Sequence, residues 1–202
     1  MPENTDPYSL NLPEEGLIPR SIRELFEQVN LRKQNTNNNN ITIQIQYVQL
    51  YNEKVYDLLN SQAIRVMGKA TLSGIPGLKV KWNPQTDDVI IENAFEFECK
   101  TPEDALKYFW KGLKNKMMAS HAMNNQSSRS HCILSFRVTQ IDTQNAENTI
   151  VSKLQLVDLA GSERQSATQG FGGGGQDSTF QKEAIEINKS LFTLRQVISA
   201  LE

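Results

Sequence analysis

The chain has 202 residues, 38% of them hydrophobic and 22% charged, which suits one domain with a real core and excludes a disordered or membrane-embedded composition. A formal net charge of −2 argues against a generally nucleic-acid-binding surface. No apolar run approaches a membrane span, and the polar opening MPENTDPYSLN is not a signal peptide, so the expectation is a cytoplasmic chain without membrane insertion.

An irregular opening over residues 1–15 gives way to GLIPRSIRELFEQVN. Pro19 suits a first helical turn, where its missing N–H costs nothing, and Ile22, Leu25, Phe26 and Val29 recur at helical spacing. The polar tract KQNTNNNN then predicts a solvated loop insertion over residues 34–40. In ITIQIQYVQLY, Ile41, Ile43, Ile45 and Tyr47 alternate with Thr42, Gln44 and Gln46, the period of a half-buried strand.

From Asn60 to about Asn93 Gly and Pro interrupt the pattern, leaving short strand candidates at GLKVKW and DVIIENA. TPEDALKYFWKGLKNKMMASHAM predicts a helix: Thr101 can cap it, Pro102 fits its first turn, and Asp104 complements the positive end of its dipole. HCILSFRVTQI and TIVSKLQLVDL predict two strands joined as a hairpin by the polar DTQNAEN.

A glycine-rich stretch, GFGGGGQDST at residues 170–179, precedes the last predicted helix. There Ala184, Ile187, Leu191, Leu194, Ile198 and Leu201 form one apolar seam with no stop signal, as if the chain ended inside a helix. Strands and helices in this order predict an α/β three-layer sandwich. Cys99 and Cys132 have no metal-ligand partners nearby and read as buried structural thiols. His121 and His131 lie too far apart for a zinc helix.

Two stretches carry chemistry. LQLVDLAGSE is a buried strand ending at Asp158, followed by Asp-x-x-Gly, at the strand end where α/β sheets place ligands. An Asp there can hold Mg²⁺ through water, and the Gly161 amide can approach a phosphate with no Cβ in the way. NNQSSRSH, Asn124 to His131, lies between a helix and a strand; its paired hydroxyls and arginine can offer a magnesium ligand, a phosphate donor and a charge.

With NNQSSRSH, DLAGSE and EINKSLFTLRQVISAL in this order, the chain resembles the two switch regions and following relay helix of the kinesin motor domain. YVQLYNEKVYDLLN resembles the same family's strand-and-helix segment, and GLIPRSIRELF its second helix. The resemblance implies a P-loop NTPase-type motor fold with a mixed central sheet, binding ATP and Mg²⁺ and moving on microtubules in the cytoskeleton. It implies that Ser127 and Ser128 of switch I contact Mg²⁺, the γ-phosphate and the attacking water, with Asn124 and His131 completing that signature. It further implies an Arg129–Glu163 closing salt bridge, a γ-phosphate contact from Gly161, and Asp158 in the water shell of Mg²⁺. Asn188 matches the Asn at the start of the relay helix, while Arg164, Lys182, Lys189 and Arg195 are the candidates for tubulin's acidic surface.

The family's P-loop, G-x-x-x-x-G-K-[ST], does not occur in these 202 residues; Gln176 and Asp177 follow the glycine run, and an Asp there would repel phosphate. The resemblance therefore covers a partial motor, without the first strands, the P-loop and the last strand. The glycine run reads as a linker-like insertion between switch II and the relay helix. Two functions follow: a fragment of an ATP-dependent microtubule motor, not ATPase-competent alone, or a non-catalytic motor-derived module that binds microtubules or another protein. A GTPase reading fails, because N-K-x-D needs Asp where Leu191 follows NKS.

Overall fold

A computed structural model of the chain describes residues 15–35, 39–60, 76–121, 130–143, 148–161 and 177–201. Helix α1 (Leu17–Asn35) buries Pro19, Ile22, Phe26 and Val29, the stripe that three-four spacing brings to one face. Arg32 and Lys33 fall in its last turn, where cations suit the negative end of the dipole. Strand β1 (Asn39–Tyr51) begins four residues later. The flanks of the Asn-rich tract thus belong to α1 and β1, and residues 36–38 lie outside the described residues.

Ile41, Ile43, Ile45 and Tyr47 of β1 are buried and alternate with half-buried Thr42, Gln44 and Gln46, as the period of two requires. At Asn52 and Glu53 the backbone takes positive φ twice, 49° and 59°, the signature of a two-residue hairpin turn matched to strand twist. Strand β2 (Lys54–Asp57) therefore folds straight back, with Tyr51 opposite Lys54. The segment after YVQLYNE is a strand, not the helix that the strand-and-helix resemblance implied. Val55 and Tyr56 favour an extended backbone, and the turn leaves no residues for a helix to nucleate.

Strands β3 (Val80–Asn83) and β4 (Asp88–Ile91) form a separate two-stranded ribbon. The short β5 (Phe97–Glu98) returns to β1, pairing Ile45 with Phe97. Helix α2 (Pro102–His121) starts on a reciprocal cap. The Asp104 amide donates to Thr101 Oγ1 at 3.2 Å, and Asp104 Oδ2 accepts the Lys100 and Thr101 amides at 3.1 Å each. Strands β6 (His131–Asp142) and β7 (Thr149–Asp158) form the expected antiparallel hairpin, and helix α3 (Asp177–Leu201) follows. No described helix is long and apolar enough to cross a membrane.

The main sheet runs β2-β1-β6-β7, with β5 beside β2 along the same edge of β1. Every ladder among the described residues is antiparallel, and the parallel pairing of the expected mixed sheet does not occur among them. Helices α1 and α2 cover one face. Ile22, Phe26, Ile43, Ile45, Leu106, Phe109, Leu134 and Phe136 form the core there, each worth about 1.5–3 kcal/mol of burial.

On the opposite face the Lys153–Asp88 pair holds the β3–β4 ribbon and Arg137–Glu96 holds the link from β4 to β5, enclosing a cleft of about 320 Å³. His131 alternates with the core-facing Cys132, so it projects to that second face, where it meets Ser190 of α3. The α/β three-layer arrangement follows: helices, sheet, then ribbon and α3. Strand β7 pairs only with β6 among the described residues, and Ile150, Val151 and Val157 on it are exposed.

Candidate functional site

The antiparallel β6–β7 register sets Cys132 opposite Asp158, so β6 begins where β7 ends. The chain entering β6 through Ser130 and the chain leaving β7 through Leu159, Ala160 and Gly161 consequently meet at one end of the sheet. This juxtaposition follows from the ladder and does not depend on a side-chain contact.

Asp158 is held by Lys116, whose Nζ donates to Oδ2 at 2.8 Å. The two partners sit in different surroundings: the Lys116 side chain is 11% exposed, that of Asp158 64%. Burial pulls the Lys116 pKa down, but the hydrogen bond to Asp158 and the neighbouring Cys132 and Asp158 charges lift it above its ordinary value. Lys116 is charged, and most of the Asp158 carboxylate remains open to solvent. Beneath the pair, burial pushes the Cys132 thiol up despite the nearby Lys116, and it raises the Tyr47 phenol strongly, with Cys132 and Asp158 adding to the rise.

His131 is buried and engaged at both nitrogens. The Ala160 amide donates to Nδ1 at 2.9 Å, and Nε2 lies 2.8 Å from Ser190 Oγ. With Nδ1 accepting, the ring proton sits on Nε2, which donates to the serine. Burial lowers the imidazole pKa and so favours this neutral form, with the charge of Asp158 opposing it. Next to it, Gln49 Nε2 donates to Ser130 Oγ at 2.8 Å inside the protein, anchoring the start of β6 to β1. Asn115 Nδ2 donates to the Leu58 carbonyl at 2.6 Å, fixing the turn of α2 that carries Lys116.

Of the residues singled out from the sequence, Asp158 and Gly161 stand together at this end of the sheet, with His131 between them and α3. Asn124, Ser127, Ser128, Arg129, Glu163 and Arg164 lie outside the described residues, as do positions 170–176 of the glycine run. Lys182 and Asn188 fall within α3. Lys189 and Arg195 are exposed on that helix, and Lys189 Nζ comes to 4.0 Å from Glu53. The expected burial of Cys99 and Cys132 holds.

Sequence reading missed Lys116, although a signal was present. Ala105, Phe109, Gly112 and Lys116 follow one helical stripe, so a lysine stands on the core-facing side of α2 and needs a partner.

Comparison with known proteins accounts for this arrangement. The family model for the kinesin motor domain matches residues 7–202. Kinesin-like protein KIF9 of Mus musculus is 35% identical over 192 residues, covering 95% of this chain and 22% of its own length. A solved fast kinesin superposes with a TM-score of 0.68 at 25% identity, over 86% of this chain and 44% of that one. The motor domain of the kinesin-related protein Kar3 of Saccharomyces cerevisiae superposes with a TM-score of 0.64 at 26% identity, over 90% of this chain and 48% of that one. The chain thus spans about a fifth of that curated relative and under half of those solved motor chains. With a matching family model over nearly its whole length and the motor fold around the β6–β7 edge, this chain belongs to the kinesin motor domain family.

Proposed function

We propose that the chain is the switch-bearing part of an ATP-dependent microtubule motor. The observation that carries this reading is the meeting, at one end of the sheet, of the segment entering β6 and the loop leaving β7 at Asp158. A nucleotide phosphate approaching that end would face both at once. The fast kinesin among the solved relatives is described through an ATPase mechanism and interactions with microtubules, which supports the same reading for this chain.

The described residues fit an Mg²⁺–ATP site in part. Asp158 offers a largely solvent-facing carboxylate, and Mg²⁺ commonly keeps several waters and takes only one or two carboxylates. Among the described residues no three His, Cys, Asp or Glu side chains gather as a metal cage, as such a water-rich site requires none. Bound there, Mg²⁺ would supply charge neutralisation to phosphoryl transfer. The chain's own share is positional. Asp158 would orient the water shell, Gly161 would offer its amide to the γ-phosphate, and Ser127 and Ser128 would hold the metal and the attacking water with Asn124. Arg129 and Glu163 would close the site by pairing. Phosphoryl transfer depends on positioning and electrostatics more than covalent chemistry, so this set suffices for the switch half of the reaction.

The 202 residues contain no G-x-x-x-x-G-K-[ST], so the cradle for the α- and β-phosphates is not among them. The isolated chain accordingly does not turn over ATP, and its tubulin contacts, through Arg164, Lys182, Lys189 and Arg195, act without nucleotide. Co-sedimentation with microtubules in the presence and absence of Mg-ATP tests this. The chain is expected to pellet equally in both. Failure to pellet contradicts the microtubule reading, and release by ATP contradicts the claim that these residues lack a working phosphate cradle.

A further inference from the structure

We infer that His131 is a positioning residue that couples the loop leaving β7 to helix α3 through its imidazole ring. The Ala160 amide donates to Nδ1 at 2.9 Å on one side, and Nε2 meets Ser190 Oγ at 2.8 Å on the other. Both partners lie on segments separated in sequence by the undescribed residues 162–176, so the ring joins them through space. His131 is 8% exposed and Ala160 5%, and the preceding Ser130 is fixed by Gln49, so the ring sits on an anchored backbone. The next residue back on α3, Lys189, comes to 4.0 Å from Glu53 of the β1–β2 turn, so two successive α3 residues face this end of the sheet.

The chemistry makes the link directional. A neutral imidazole has one acceptor and one donor nitrogen, and both are committed. If the Leu159–Ala160 peptide turns, Nδ1 loses its donor and the ring is free to tilt, which withdraws the Nε2 proton from Ser190. If α3 shifts instead, the ring follows and the Ala160 amide loses its acceptor. The coupling belongs to the folded chain. Its trigger, a γ-phosphate drawing the Gly161 amide, rests on the function proposed above.

Hydrogen exchange of the Ala160 amide in the full chain, read with and without the serine, tests the coupling. Ser190→Ala removes the contact on the far side of the ring, and is expected to speed Ala160 exchange about fivefold, the scale of one hydrogen bond. His131→Asn keeps an acceptor oxygen where Nδ1 lies but cannot reach Ser190. In that background Ser190→Ala is expected to leave Ala160 exchange unchanged. A serine that served only α3 would not move Ala160 in either background, so an unchanged rate in the Ser190→Ala protein overturns the inference. Equal acceleration in both backgrounds overturns it too, since the effect would bypass the ring.

A separate arm adds Mg²⁺ with a non-hydrolysable ATP analogue to the chain joined to a kinesin segment that carries G-x-x-x-x-G-K-[ST], since the 202 residues alone lack that cradle. A change in Ala160 exchange that Ser190→Ala alters supports the phosphate trigger. No change, with the nucleotide-free cycle intact, counts against the nucleotide reading and leaves the coupling standing.

Discussion

The Lys116 ammonium is nearly buried while the Asp158 carboxylate it meets is mostly exposed, so the two halves of this pair are not equivalent. Removing the lysine leaves a carboxylate that water can solvate; removing the carboxylate leaves a buried cation. Asp158→Ala is therefore expected to destabilise the fold by about 2–4 kcal/mol, and Lys116→Met by about 1 kcal/mol or less, in urea unfolding. His131 adds a pH dependence whose sign follows from its surroundings. Burial holds the folded-state imidazole below its ordinary value near 6.5, so the unfolded chain binds the proton more readily. The stability it contributes is complete above about pH 6.5 and falls as pH drops from there toward the lower folded-state value. Urea midpoints from about pH 8 to about pH 5 are expected to decline, and His131→Asn to flatten that decline. Asp158 and Gly161 were picked out through Asp-x-x-Gly read together with NNQSSRSH, but their contacts in the fold were not. Contacts such as Lys116–Asp158 and His131–Ser190 join residues 42 and 59 apart, and nothing local in a sequence encodes them.

Among the elements, α2 shows how a local rule yields to packing. Gly112 sits in the middle of a helix, where glycine costs about 1 kcal/mol relative to alanine. A Cβ there would overlap Tyr47 Cδ1, so the ring packs where alanine's methyl group would go. Gly112→Ala is thus expected to lose about 1–2 kcal/mol despite the better propensity. Thermal unfolding should show the loss, and pairing it with Tyr47→Leu should recover most of it; a stabilised single variant would contradict the packing. The periodic elements were legible because burial imposes a period. The α1 stripe, the β1 alternation, the Thr101 cap and the β6–β7 hairpin all follow from side chains within one or two turns of each other. The KVYD segment was misread for a physical reason: its strand depends on Asn52 and Glu53 taking positive φ, and Glu carries no sequence signal for that conformation.

At the scale of the whole molecule, the exposed surfaces follow the same division as the chemistry. β7 carries exposed Ile150, Val151 and Val157, and α3 exposes Phe192, Val197, Ile198 and Leu201. Val157 lies beside Asp158, and Ile150 and Val151 lie at the far end of the same strand, which has no second neighbour among the described residues; a strand edge with such residues invites association. The motor family was legible from the order of NNQSSRSH, DLAGSE and EINKSL along the chain. The sheet order was not, since strand neighbours are chosen by tertiary contact and leave no spacing in the chain. The central claim is that these residues form the switch half of a phosphate-driven motor, with the phosphate cradle elsewhere. Microtubule-stimulated phosphate release tests it most directly, measured on the 202-residue chain alone and joined to a kinesin segment carrying G-x-x-x-x-G-K-[ST]. The account predicts no release from the chain alone, release from the joined protein, and its loss with Gly161→Ala. Release from the chain alone, or release that Gly161→Ala leaves unchanged, would contradict it.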